Sequence, residues 1–176
     1  MKAISVIGSG TMGNGIAHVF AQHGYSVALI DIQAAQLEKA MATISKNMDR
    51  QVSKGSLTEE QKNEAISRIS TFTDLQEGVK IADLVVEAAT ENMALKLDIF
   101  RKLDEFAPKS AILATNTSSI SITKIGAVTQ RPEQVIGMHF MNPVPVMKLV
   151  EVIRGYATSD SVTEIIMDLS KKLSKI

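Results

Sequence analysis

Apolar residues follow two rhythms along this chain. Ile4 to Ile7, Val27 to Ile30, Leu84 to Val86, Ala111 to Ala114, Val135 to Met138 and Leu149 to Ile153 are short, nearly continuous apolar runs, the pattern of strands buried on both faces. Between them lie stretches with apolar residues at helical spacing, such as Ile16, Ala17, Phe20 and Ala21 closed by Gly24, and a segment from about Asn92 to Phe106. The first two runs are spaced like parallel strands joined by a crossover helix. The alternation predicts an α/β, Rossmann-type doubly wound, mostly parallel sheet covered by helices on both faces.

One segment interrupts the rhythm. Gln36 to about Lys54 reads as helix, Gly55 as its stop, and Thr58 with Gln61 as a capping box opening a second helix. The expectation is a helical hairpin, about 36–69, inserted after the second strand. No repeat, low-complexity tract or Pro-rich linker divides the chain, so 1–176 is expected to form one domain. The last helix, from Ser161, runs into Lys171-Lys172-Leu173-Ser174-Lys175-Ile176 without an evident stop, and the chain is expected to be cut rather than finished.

Composition narrows the function classes. The chain has 176 residues, 45% of them hydrophobic, enough to bury one good core. Lys plus Arg and Asp plus Glu both total 19, so no global field draws nucleic acid or an anionic membrane. The absence of cysteine excludes disulfides, thiolate nucleophiles and Cys-ligated zinc, and no metal site is expected. Met1 to Gly8 reaches glycine too early for a signal peptide, and no apolar run approaches the roughly 20 residues that span a bilayer. A soluble, cytoplasmic protein is expected.

Gly8-Ser9-Gly10-Thr11-Met12-Gly13 follows a strand and opens a helix, the context in which G-x-G-x-x-G points to a dinucleotide. Gly8 suits the tight turn, Gly10 lets the backbone approach a pyrophosphate, and Gly13 permits close helix–strand packing. The N–H groups at the helix start, around Thr11 and Met12, would face the phosphates. Asp31 ends the second run about 20 residues further on, where a ribose-binding carboxylate is expected. Ile32, Gln33, Ala34 and Ala35 supply no arginine for a 2′-phosphate, which favours NAD over NADP. A ligand-free glycine turn, with Asp31 merely capping the next helix, is the alternative.

Of the three histidines, His18 and His23 belong to the first helix and its end, and are expected on the helix surface and in a loop. His139 follows the run Val135 to Met138, at the edge where open parallel sheets bind ligands, and is a candidate general base. Glu151 lies in Leu149-Val150-Glu151-Val152-Ile153, and a carboxylate among apolar residues needs a partner. If the two strands are neighbours, Glu151 can fix the tautomer of His139 and raise its basicity; otherwise it bonds to backbone. Asn116-Thr117-Ser118-Ser119 ends another run at that edge and could orient a substrate hydroxyl or a nicotinamide amide, or simply cap a helix.

Two long segments carry a resemblance. Asn116-Thr117-Ser118-Ser119-Ile120-Ser121-Ile122 and Gly137-Met138-His139-Phe140-Met141-Asn142-Pro143-Val144-Pro145-Val146-Met147-Lys148-Leu149-Val150-Glu151-Val152-Ile153 resemble the 3-hydroxyacyl-CoA dehydrogenases, particularly bacterial members acting on 3-hydroxybutyryl-CoA, and the likeness extends over essentially the whole chain. It implies His139 as catalytic base, Glu151 as its orienting partner and Ser118 as a substrate contact. It also implies Glu91 and Lys96 around the nicotinamide ribose, Asn116, Ser118 and Asn142 beside the cofactor, and the hairpin as the part that meets coenzyme A. Independently, Lys46, Arg50 and Lys54 recur at i, i+4, i+8 and form one basic helical face for CoA phosphates, or a solvated one. Met141 departs from the second phenylalanine usual in the family. The family's all-helical C-terminal domain is expected to be missing from these 176 residues, and with it a catalytic asparagine and most of the interface of the homodimer implied for a full-length parent. Another NAD-dependent hydroxy-acid dehydrogenase, or a non-catalytic NAD-binding module, remains as the competing reading.

Overall fold

The computed structural model describes residues 1–117 and 121–176. The elements run β1 (Ala3–Ile7), α1 (Thr11–Gln22), β2 (Ser26–Ile30), α2 (Ala34–Ser53), α3 (Glu59–Ser67), β3 (Ile69–Phe72), α4 (Leu75–Val79), β4 (Leu84–Glu87), α5 (Met93–Phe106), β5 (Ile112–Thr115), α6 (Ile122–Ala127), β6 (Val135–Phe140), β7 (Val150–Arg154) and α7 (Asp160–Lys172). Among the described residues, seven strands form one sheet in the order β3-β2-β1-β4-β5-β6-β7. All neighbours are parallel except β6 and β7. The order reverses between β1 and β4, and such a switch point opens a crevice at the C-terminal ends of the strands.

The continuous apolar runs are explained by burial on both faces. In β4, Leu84 and Val86 pack with Ile16, Phe20, Ile44 and Ile166 on one side, while Val85 packs with Phe100, Leu103 and Ile125 on the other. Alternate residues of each strand thus feed two cores, one under α1, α2 and α7, the other under α4, α5 and α6.

The inserted hairpin forms as its signals indicate. Thr58 Oγ1 accepts from the Gln61 amide while Gln61 Oε1 accepts from the Thr58 amide, satisfying two donors at the start of α3. The hairpin begins slightly earlier than expected, at Ala34, and yields to β3 at Ile69. Side chains of Asn92 and Ser159 cap α5 and α7.

Three features differ from expectation. Strand β3 is a four-residue edge strand, half-buried or exposed along its length, so it carries no apolar run to betray it. Strand β7 returns antiparallel because the Met141–Leu149 connection is shorter than the dozen or so residues of a parallel crossover. His18 is not on the surface of α1: it is fully buried where the hairpin covers the helix, and its Nε2 lies 3.0 Å from both Gln22 Oε1 and Gln51 Oε1. No helix among the described residues is long and apolar enough to cross a membrane.

Candidate functional site

The glycine turn connects β1 to α1 at the switch point. Gly8 sits at φ +95°, and its amide donates to the Ile30 carbonyl of β2. A side chain at Gly13 would begin 1.7 Å from the Gly8 carbonyl oxygen, so only glycine lets the helix lie this close to the turn. Gly10 is the opposite case: nothing stands within 4 Å of where its Cβ would be, and its backbone faces an open cleft. As N-cap of α1, Gly10 brings no capping side chain to the first-turn amides around Thr11 and Met12. An open backbone at a helix N-terminus is what a pyrophosphate requires, and these residues fit NAD.

Asp31, one residue past β2, is not the cap of α2; that position is Gln33. Its Oδ2 accepts from the amide (3.1 Å) and hydroxyl (2.7 Å) of Ser9, and Oδ1 accepts from the Gln33 amide at 3.1 Å. The carboxylate therefore ties the glycine turn to the end of β2, with oxygen lone pairs left over for a ribose.

His139 lies within β6 rather than after it, because the strand continues to Phe140. Glu151 is its cross-strand partner in the β6–β7 register. Nδ1 of His139 and Oε1 of Glu151 are 3.6 Å apart, an ion-pair distance longer than a hydrogen bond, and among the described residues His139 Nδ1 has no hydrogen-bond partner. The expectation of a Glu151 buried among apolar neighbours is corrected: its side chain is 52% exposed, against 21% for His139, because β7 is the edge strand of the sheet.

Asn116 follows β5 and reaches across to β6, where its Oδ1 accepts from the Phe140 amide at 2.8 Å. Thr117 Oγ1 donates to Glu91 Oε2 at 3.0 Å, so the loops after β4 and β5 meet at this edge. Lys96 is 1% exposed, with Nζ 2.6 Å from Glu87 Oε1 and 3.3 Å from Thr115 Oγ1. It is thus buried rather than exposed to a ligand, engaged with Glu87, a residue the sequence did not single out. Ser118 is outside the described residues.

A cleft of about 280 Å³ runs from Gly10 and Thr11 past Lys39, Thr43 and Asn47 of α2 to Asn142 and Val144. The face of the hairpin turned to the glycine turn is therefore Lys39–Thr43–Asn47. Lys46, Arg50 and Lys54 are exposed and do not line this cleft. A larger cavity, about 640 Å³, opens at the opposite edge beside Tyr25, Ile112 and Leu169. Open α/β sheets bind ligands at the carboxyl ends of their strands, where Gly10, Thr11 and Asn142 line the smaller cleft, so that cleft is the candidate phosphate-facing part of the site; Asp31, Asn116, His139 and Glu151 lie outside its lining. Among the described residues no cluster of His, Asp and Glu suits a metal ion.

Comparison with known proteins agrees with this geometry. Residues 3–176 match the family model described as 3-hydroxyacyl-CoA dehydrogenase, NAD binding domain. The chain is 50% identical over 175 residues to a 3-hydroxybutyryl-CoA dehydrogenase of Bradyrhizobium diazoefficiens and 48% identical over 175 residues to a probable 3-hydroxybutyryl-CoA dehydrogenase of Bacillus subtilis, covering 99% of this chain in both cases. It spans only 59% and 61% of those relatives' own lengths. The crystal structure of (S)-3-hydroxybutyryl-CoA dehydrogenase from Ralstonia eutropha superposes with a TM-score of 0.96 at 47% identity, over 99% of this chain and 62% of that one. A glycine turn that fits a dinucleotide, the doubly wound sheet around it and a match over nearly the whole chain converge: this chain belongs to the 3-hydroxyacyl-CoA dehydrogenases, as their NAD binding domain.

Proposed function

We propose that this chain is the cofactor-holding part of an enzyme that interconverts a short-chain 3-hydroxyacyl-CoA and its 3-oxoacyl-CoA, with 3-hydroxybutyryl-CoA and acetoacetyl-CoA as the leading pair. The observation that carries the reading is His139 directly opposite Glu151, at the sheet edge onto which the glycine turn and Asn116 also open. NAD, when bound, supplies the hydride acceptor for C3.

The chain's own residues do the rest. With Nδ1 of His139 turned to Glu151, Nε2 is the atom left to take the proton of the C3 hydroxyl, and in the reverse direction the imidazolium returns it. The Glu151 carboxylate fixes the ring's tautomer once the 3.6 Å gap tightens with substrate. Ser118 contacts the reacting oxygen, Asn116 and Asn142 flank the nicotinamide with Glu91 and Lys96 near its ribose, and Lys46, Arg50 and Lys54 meet CoA phosphates. The half-exposed Glu151 supports a further point: these 176 residues bind cofactor but turn over slowly, because water reaches the pair. A full-length parent is a cytoplasmic homodimer, assembled through the helical domain that the family carries.

The test is an NADH fluorescence titration of this chain with and without acetoacetyl-CoA, then NADH oxidation by a full-length parent. Tight NADH binding with acetoacetyl-CoA-dependent oxidation is expected. Oxidation with 2-hydroxy- or sugar-acid partners' oxo forms but not with acetoacetyl-CoA would refute the substrate assignment.

A further inference from the structure

Glu87, the last residue of β4, is fully buried, and both of its carboxylate oxygens are engaged. Oε1 accepts from Lys96 Nζ at 2.6 Å and Thr115 Oγ1 at 2.8 Å. Oε2 accepts from the amides of Ala89 at 2.8 Å and Thr90 at 3.4 Å. A buried ion pair is weak evidence for stability, since apolar residues of the same volume usually do as well. The reason for this one is better sought in what it holds in place.

It holds three segments. The first is the loop after β4, whose Ala88 carbonyl oxygen and Ala89 Cα lie 2.7 Å from where a Gly8 side chain would begin, so this loop abuts the glycine turn. The second is the start of α5, through Lys96. The third is the end of β5: Thr115 bonds the carboxylate, and the Asn116 amide donates to the Glu87 backbone carbonyl at 2.8 Å. Asn116 in turn accepts from the amide of Phe140, the neighbour of His139. One carboxylate thus links the floor of the dinucleotide cleft to the strand that carries the candidate base, all on the β4–β5–β6 side of the switch point.

We propose that Glu87 is a positioning residue for the nicotinamide half of the cofactor, acting through Lys96, Thr115 and the Ala88–Asn92 loop rather than by touching the ligand. The proposal rests on the dinucleotide reading of the cleft. Its side of the sheet gives it a signature: the adenosine half, at Asp31 beyond β2, lies across the switch point from the network.

The experiment compares NADH with ADP-ribose, which lacks the nicotinamide, on the wild-type chain, Glu87→Gln, and Thr115→Val as a milder break that leaves the ion pair intact. Binding is measured well below each variant's melting temperature. In Glu87→Gln, the NADH Kd is expected to rise at least tenfold, about 1.4 kcal/mol, with the ADP-ribose Kd within twofold of wild type. Thr115→Val should move the same ratio in the same direction by a smaller factor, and carries the test alone if Glu87→Gln does not fold. NADH affinity within twofold of wild type in a folded variant, or equal weakening of both ligands as general loosening would give, overturns the proposal. A wild-type chain that binds neither ligand overturns the dinucleotide reading itself, and the proposal with it.

Discussion

Gly10 and Gly13 stand three residues apart in one turn, yet the structure assigns them opposite sensitivities. An Ala Cβ at Gly10 meets nothing within 4 Å, and the backbone there, at φ −66° and ψ −166°, is open to any residue. Gly10→Ala should leave stability within about 1 kcal/mol of wild type, because the stiffer unfolded chain is offset by the poorer fit of Ala at a helix N-cap. For a chain of this length each kcal/mol moves Tm by roughly 2–4 °C. The same methyl group fills the space through which a pyrophosphate would reach backbone N–H groups. Losing one charge-assisted hydrogen bond costs about 1.5–3 kcal/mol, which raises the NADH Kd by roughly 10- to 150-fold. Gly13→Ala places its Cβ 1.7 Å from the Gly8 carbonyl oxygen and 2.6 Å from its carbon, both backbone atoms that cannot swing aside. It should lose about 1–3 kcal/mol or more of stability, as well as NADH binding. Melting curves and NADH fluorescence titrations on both variants separate the effects. A Gly10→Ala chain that melts like wild type and binds NADH within twofold would refute the close approach of the cofactor backbone.

Other perturbations test the remaining elements. His139→Ala in a full-length parent should lower kcat by roughly 10²–10⁴-fold, the usual worth of general acid–base catalysis, with the NADH Kd nearly constant; equal loss of both would remove His139 from the base role. Arg131 is buried and fastens the end of α5 to β5, with Nε on Asp104 at 2.8 Å and its other nitrogens on the carbonyls of Asp104, Ala107, Pro108 and Ala111. Arg131→Met should cost about 3–5 kcal/mol and roughly 6–20 °C in Tm, and a shift under 2 °C would refute that role. Burial holds the His18 imidazole below its ordinary pKa of 6.5, outweighing the opposing effect of the Gln51 and Gln22 side-chain oxygens that accept from Nε2, and Lys175 adds to the lowering. The unfolded chain then binds the extra proton first, so the stability from neutral His18 is complete above about pH 6.5 and is lost as pH falls from there through the lowered folded value. Tm should drop between pH 7 and pH 5, by less in His18→Gln; equal drops in both proteins would remove His18 as the cause.

Much of this protein is local, and so was legible in the sequence. The apolar runs give the strands because a strand covered on both faces has no polar side to show, and the glycine pattern gives the turn because the positive φ of Gly8 and the contact of Gly13 with the Gly8 carbonyl are both set within a few residues. The capping box at Thr58 and Gln61 is local in the same sense. Other features were decided only by tertiary structure. His18 has the spacing of a surface residue on α1 and is buried because a helix distant in sequence folds over it. Glu151 sits among apolar neighbours and is exposed because β7 falls at the edge of the sheet, a fact of strand order. Glu87 reads as an ordinary strand-end acid and Lys96 as a cofactor contact, and the pairing of the two appears only when α5 is laid against β4 and β5. The sequence by itself determined the buried strands, the capped helices, the dinucleotide turn and the choice of His139 and Glu151 as candidates, since each depends on bonding or sterics within a few residues or on side-chain chemistry, whereas the edge strand β3 and the placing of His139 opposite Glu151 came with the strand pairing. Only the tertiary structure decided which polar groups are buried and which partners they take, because burial depends on what packs from elsewhere in the chain.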